Sequence, residues 1–251
     1  MKKIDLNCDL GEWKTEDGFA RDEKIMPFIS SCNIACGGHI GDEFSMKKTI
    51  ELALKHNVAI GAHPSFPDRE GFGRRIIPMT SDELTRVIRE QLYNFGIILN
   101  EMGGKLHHIK PHGALYNAAS VDDQIATSIL EATKELCLET LIYGQSSSIF
   151  EDVISSGNLE FVAEVFSDRA YENDLSLRDR NLEGAVLHSE KEVLEHVYSM
   201  VINGKVKTHS GDFLPIKAET VCLHSDTEGA TELAEKICYF LKEHGVEIVA
   251  A

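Results

Sequence analysis

The chain has 251 residues, 43% of them apolar, and a formal net charge of −16 from 41 acidic and 25 basic side chains. That balance opposes binding to nucleic acid or to an anionic membrane surface, both of which reward basic patches. No run of about 18 apolar residues occurs, so no transmembrane helix is expected, and Asp5 and Asp9 break the start MKKIDLNCD before a signal segment can form.

In chain order, Ile4 to Cys8 predicts the first strand, and residues 45–56 a helix with Ser45 as its cap. The apolar run VAIGA (58–62) predicts a strand, and residues 81–102 the clearest helix, with an acidic first turn and a Gly103-Gly104 stop. LHHIK follows as a strand, then a helix over 122–136, a strand over 138–144 and a short helix over 147–156. The second half predicts a strand over 159–166, a helix over 190–203, a strand over 220–224, a helix over 227–243 and a closing strand VEIVA. Residues 172–190 carry the weakest pattern. Alternating strands and helices with no linker predict one domain over 1–251, a (β/α) barrel of about seven parallel strands rather than an open sheet. Six cysteines (Cys8, Cys32, Cys36, Cys137, Cys222, Cys238) without a Cys-x-x-Cys pair suit buried, reduced thiols in the cytoplasm.

Six apolar runs end in clusters of Gly, His, Asp, Glu, Lys or Asn. In a βα repeat such strand ends converge on one face, where active sites are built. Asp5, Asn7 and Asp9 share one face of the first strand, with Glu12 just beyond. A packed interior tolerates such a face only with a metal, a substrate, water or a hydrogen-bond network to satisfy it. Asn33, His39 and Asp42 surround a glycine-rich turn, and Pro64 holds His63 extended at a strand end. Gly71-Phe-Gly-Arg74-Arg75 offers two guanidinium groups to a carboxylate or phosphate, or to the acidic surface. Lys110 and His112, with Tyr116 and Asn117, form the most reactive set; a lysine ending an apolar run requires a carboxylate from another strand end. His107 and His108 fit packing or surface roles, whereas Glu164, Asp168, Arg169 and Tyr171, with Arg180 further on, join His224 and Asp226 in completing the rim. No Gly-x-x-x-x-Gly-Lys-Ser/Thr phosphate loop occurs.

Assembled, these segments resemble the LamB/YcsF family nearly end to end: Asp5-Leu-Asn-Cys-Asp-Leu-Gly-Glu12, Asn33-Ile-Ala-Cys-Gly37, His39-x-Gly-Asp42, Gly61-Ala-His-Pro64, Pro67-Asp68, Gly71-Phe-Gly-Arg-Arg75, Lys110-Pro-His-Gly-Ala-Leu-Tyr-Asn117, Glu164-x-Phe-x-Asp-Arg-Ala-Tyr171 and His224-x-Asp226. The resemblance implies a distorted barrel related to the glycoside hydrolase/deacetylase barrels. It also implies ATP-dependent opening of the 5-oxo-L-proline lactam to L-glutamate with two partner subunits, B and C, the Mg2+ of ATP lying at a partner. Four positions depart from the family pattern: Gly38 and Ile40 replace a bulky residue and an Ala, while Leu175 and Ser225 stand where glycine is usual.

On that resemblance, Asp9 or Glu12 is expected to act as base, His39, His63 and His112 to orient or protonate, and Lys110 to stabilise negative charge. Asn7, Asn33, Asp42, Arg74, Arg75, Asn117, Glu164, Arg169 and His224 are expected to hold substrate. Two rivals remain: a self-sufficient metal-dependent amidohydrolase or deacetylase built on Asp9, His39 and His63, and a non-catalytic subunit that presents substrate.

Overall fold

The alternation along the first strand, β1 (Lys2–Leu10), sets the architecture. Leu6, Cys8 and Leu10 join the apolar layer under the helices, whereas Asp5, Asn7 and Asp9 turn inward and bond across the barrel. The computed structural model describes residues 1–134, 139–225 and 229–251. Strands β2 (Ser31–Ala35), β3 (Ala59–His63), β4 (Leu106–Ile109), β5 (Leu141–Gln145) and β6 (Phe161–Phe166) follow β1 as parallel neighbours in that order. After an antiparallel hairpin of β7 (Lys205–Lys207) and β8 (Phe213–Pro215), β9 (Thr220–His224) lies between β6 and β1 and closes a seven-stranded parallel barrel.

Helices α1 (Glu16–Ile25), α2 (Glu43–His56), α3 (Ser81–Glu101), α4 (Gly113–Ala119), α5 (Asp123–Thr133), α6 (Ile149–Ser156), α7 (Glu190–Val201) and α8 (Ala230–Glu243) lie between the strands in sequence. Their apolar stripes, such as Leu84, Ile88, Leu92, Phe95 and Leu99 of α3, form one continuous core against the outward strand residues. Burying a side chain of this kind stabilises by roughly 1.5–3 kcal/mol.

Several elements differ from expectation. The C-terminal strand β10 (Val246–Ile248) does not close the barrel; it pairs with Lys2–Ile4, before β1 reaches β9. Asp42, not Ser45, caps α2: its Oδ1 accepts from the Ser45 N–H at 2.9 Å, and Ser45 Oγ accepts from the Asp42 N–H at 2.9 Å. Helices α1 and α4 and the β7–β8 hairpin carry no sequence signal strong enough to place them. Residues 172–186 run irregularly, held by bridges such as Tyr171 to Leu177 and Arg169 to Val186. The expected helix end at 135–136, the strand start at 138, the helix start at 227, Cys137 and Asp226 lie outside the described residues.

Two family departures acquire a physical reason. Leu175 has φ 68°, a left-handed conformation that glycine adopts at least cost. A Cβ on Gly38 would lie 2.4 Å from both Gln91 Oε1 and Ser65 Oγ. Gln91 fills that space instead and clamps the Ser65 backbone, accepting from its N–H at 3.0 Å and donating to its carbonyl at 2.8 Å.

Candidate active site

The inward residues form a polar column along the barrel axis. At its base the Asp5 carboxylate accepts from Ser30 Oγ, Ser31 Oγ and Thr220 Oγ1 at 2.6–2.7 Å. One layer up, Asn7 donates to Glu164 Oε1 at 2.9 Å and accepts from Asn33 Nδ2 at 2.7 Å. Asn33 also donates to Asp9 Oδ1 at 2.8 Å and accepts from His108 Nε2 at 2.6 Å, while the His108 ring stacks on Tyr143. Asp5, Asn7, Asn33 and His108 therefore complete a hydrogen-bond network, which is how buried polar groups are normally satisfied.

Lys110 caps the column. Its ammonium lies 2.9 Å from Asp9 Oδ1, 2.9 Å from Glu164 Oε1 and 2.9 Å from Cys222 Sγ, with the Phe166 ring 5.3 Å away. The two carboxylates are the counter-charges that a buried lysine requires. Burial alone would discharge Lys110, but the Asp9 and Glu164 carboxylates outweigh it and keep the ammonium protonated well above its usual range. Burial would likewise raise the Asp9 carboxyl; His63 and Lys110 overcome this and hold it well below the carboxylate range. The Cys222 thiol is pushed up by burial despite Lys110, so it stays protonated.

Beside this floor stands a wall of three histidines around Glu12. Glu12 Oε1 lies 2.8 Å from His39 Nε2, 3.2 Å from His112 Nδ1 and 3.7 Å from His63 Nε2. The turn at Gly11 (φ 72°) brings Glu12 back over the strand ends. His63 Nδ1 donates to the Lys110 carbonyl at 2.7 Å, and His112 Nε2 donates to the Phe72 carbonyl at 2.9 Å. Those bonds fix both tautomers and aim His63 Nε2 and His112 Nδ1 at each other, 3.0 Å apart. His63 Nε2 also lies 3.4 Å from Asp9 Oδ2. Burial and then His112 push His39 down to about 4, so its ring is neutral. The Glu12 carboxyl, which burial would raise, is held far below its usual range by His112 and His39.

Floor and wall open into a cavity of about 600 Å³. Asp9, Glu12, His63, Arg74, Lys110, His112, Asn117, Arg169 and His224 all line it. Asn7, Asn33, His39 and Glu164 stand behind the lining and bond to it, so they act on a bound molecule only through these neighbours. Asp42 is an exposed helix cap, and Arg75 pairs with Asp68, so neither reaches the cavity. His107 is likewise outside it.

The mouth is cationic in an otherwise acidic protein. Arg178, which joins Arg74, Arg169 and Arg180 there, has no sequence signal that singles it out as a site residue. Arg169 is buried, bonds the Ala185 and Arg178 carbonyls, and is lowered to about 10 by burial and then by Arg180. Arg180 donates to His224 Nε2 at 3.0 Å, and His224 Nδ1 donates to Asp168 at 3.0–3.1 Å. Such a mouth suits an anionic substrate group, a carboxylate or a phosphate. Cys222 and the Phe72 carbonyl also escape sequence reasoning; neither a lone buried thiol nor a backbone oxygen leaves a motif.

A barrel whose strand ends supply a locked Asp–Lys–Glu floor and a Glu–His wall has close relatives. The A subunit of 5-oxoprolinase from Bacillus thuringiensis subsp. konkukian is 41% identical over 251 residues, covering 100% of this chain and 99% of the relative. The Bacillus mycoides protein of the same name is 42% identical over the same span. The lactam utilization protein from Thermus thermophilus superposes with a TM-score of 0.92 at 34% identity, covering 99% of this chain and 100% of that one. Residues 4–251, which hold every strand end of the cavity, match the LamB/YcsF family, and the chain belongs to that family.

Proposed function

We propose that this chain is the ring-opening component of an ATP-dependent 5-oxoprolinase, cleaving the lactam of 5-oxo-L-proline to L-glutamate in the cytoplasm together with subunits B and C. The observation that carries the reading is the Lys110 ammonium fixed between Asp9 and Glu164 at the cavity floor, a preset positive charge facing the place where a carbonyl oxygen becomes negative. The names of the Bacillus and Thermus relatives support the substrate.

A lactam carbon is a poor electrophile, which gives ATP its role. Phosphoryl transfer to the lactam oxygen activates that carbon, water adds, the C–N bond breaks with proton transfer to nitrogen, and a second water releases phosphate from the resulting acyl phosphate. This chain holds no Walker phosphate loop, so ATP and its Mg2+ are assigned to one of the partners. Asp9, held ionised, orients the attacking water, while Lys110 offsets the developing charge. Glu12, His63 and His112 stand on the cavity wall where water and the ring nitrogen exchange protons. His39 braces Glu12, and Arg74, Arg169 and Arg180 face the substrate carboxylate or the transferred phosphate.

The test is glutamate release from 5-oxo-L-proline and ATP with this chain omitted, alone, and combined with B and C. Release only from the three-part mixture, lost with Asp9→Asn, is the expected result. Normal turnover of Asp9→Asn, or full activity of B and C alone, would sink the assignment.

A further inference from the structure

The wall brings three unshared electron pairs to one point. The Nδ1–H of His63 and the Nε2–H of His112 are each spent on a backbone carbonyl, so when both rings are neutral His63 Nε2 and His112 Nδ1 face each other as acceptors 3.0 Å apart. Two acceptors at hydrogen-bond distance repel unless a cation stands between them. Glu12 Oε1 is the third member of the group, 3.2 Å from His112 Nδ1 and 3.7 Å from His63 Nε2.

We propose that Glu12, His63 and His112 form a divalent metal site of the zinc class, with an open coordination position facing the cavity. Metal–ligand bonds of about 2.0–2.1 Å in a tetrahedral site put donor atoms about 3.3 Å apart. The three observed edges of 3.0, 3.2 and 3.7 Å bracket that value. The outer partners have the form that metal-bound histidines require, each distal N–H held by a carbonyl oxygen. His39 Nε2 donates to Glu12 Oε1 at 2.8 Å and orients the carboxylate from behind. All three ligands line the cavity and His39 does not, so the vacant coordination position points toward substrate. Asp9 Oδ2, 3.4 Å from His63 Nε2, adds a second carboxylate to balance a dication.

The other candidate grouping among the described residues, Asp9, Cys222 and His224, is a poorer metal site. Asp9 Oδ1 and Cys222 Sγ both contact the Lys110 ammonium, whose charge repels a metal ion. The competing occupant of the Glu12 site is a proton shared by the two imidazoles. The inference does not depend on the lactam reading, because metal binding is measured without substrate.

Chelator-stripped protein is titrated with Zn2+ by calorimetry and with Co2+ by visible absorption. One ion per chain is expected, with the intense ligand-field bands of four- or five-coordinate Co2+. His112→Ala and Glu12→Gln should each weaken binding by at least about 100-fold, while His224→Gln leaves it within about threefold. Far-ultraviolet dichroism checks that each variant is folded; if a ligand variant is not, the Co2+ spectrum and a Zn2+-dependent rise in Tm of the wild-type chain decide. No binding at millimolar metal, or binding that survives both ligand substitutions, overturns the site and leaves the shared proton. Metal binding by this chain with no 5-oxoproline turnover by the metal-loaded mixture with B and C would instead overturn the function and spare the site.

Discussion

Lys110 Nζ and Glu164 Oε1 meet 2.9 Å apart with 2% and 0% of their side chains exposed, on strand ends 54 positions apart in sequence. Removing the lysine would leave Glu164 and Asp9 as unpaired buried charges, the costly way to break an ion pair. Lys110→Met is expected to lower unfolding stability by about 3–5 kcal/mol and glutamate release by at least about 100-fold. Adding Glu164→Gln should restore part of the stability and none of the turnover. Urea denaturation alongside the reconstituted assay checks both halves.

Asp22 sets a pH dependence with a definite sign. Burial pushes its carboxyl up to about 7, Glu12 adds to the rise, and hydrogen bonds from Gly11 and Trp13 oppose it. The folded value lies above the unfolded one, so the contribution is fully present below about pH 4 and is lost as pH rises through about 7. Both donors reach the same oxygen: the Gly11 N–H and the Trp13 Nε1–H lie 2.8 and 3.0 Å from Oδ2. An asparagine Oδ1 can take that place without charge. Asp22→Asn is therefore expected to flatten the fall in stability between about pH 4 and 8, and to be the more stable form at the alkaline end. Thermal melts across that range would contradict this if the two proteins ran parallel.

Leu175 isolates a backbone cost. Its φ of 68° disfavours any residue with a Cβ. Both Leu175→Gly and Leu175→Ala delete the same packing against the core, but only glycine relieves the left-handed strain. Part of that relief is returned as chain entropy, so the glycine variant should exceed the alanine variant by roughly 0.5–1 kcal/mol. Equal denaturation midpoints would show that the turn relaxes around alanine.

Ser225 ties the end of β9 to the end of β1: its Oγ donates to the Asp9 carbonyl at 2.9 Å. Glycine at this position cannot make that bond. Ser225→Gly is expected to cost about 1 kcal/mol of stability and, by loosening Asp9, to reduce kcat more than it raises KM. A change confined to KM would remove the positioning role.

The parts of this fold visible in sequence are those with local signatures. The helix at 81–101 announces itself by period, and the strands by apolar runs ending in Asp, His and Lys. The counter-charge expected for Lys110 is likewise a local deduction, since an ammonium in an apolar run cannot stand alone. What stays hidden depends on distant contacts. Helix α1 carries Gly18, where a Cβ would lie 2.2 Å from the Trp13 Cβ, so its glycine reflects tertiary crowding rather than a turn. Glu12 joins the histidines only because Gly11 bends the chain back after β1. Gly113 owes its place to the Gly73 carbonyl, 2.7 Å from where a Cβ would stand. Arg178 and Arg180 reach the mouth through an irregular segment whose path no periodicity encodes.

The polar column has a consequence for how the chain folds. Asn7 finds Thr220 across 213 positions of sequence, and Ser225 finds Asp9 across 216. Until β9 docks on β1, the charged and amide groups of the first strand have only part of their network, and that docking closes the longest loop between strands of the seven-stranded barrel, the slow kind of contact to form. The floor of the cavity and the last seam of the barrel are thus one event. In a refolding experiment, native helix signal should return early, while affinity for a cavity ligand appears only with the final phase.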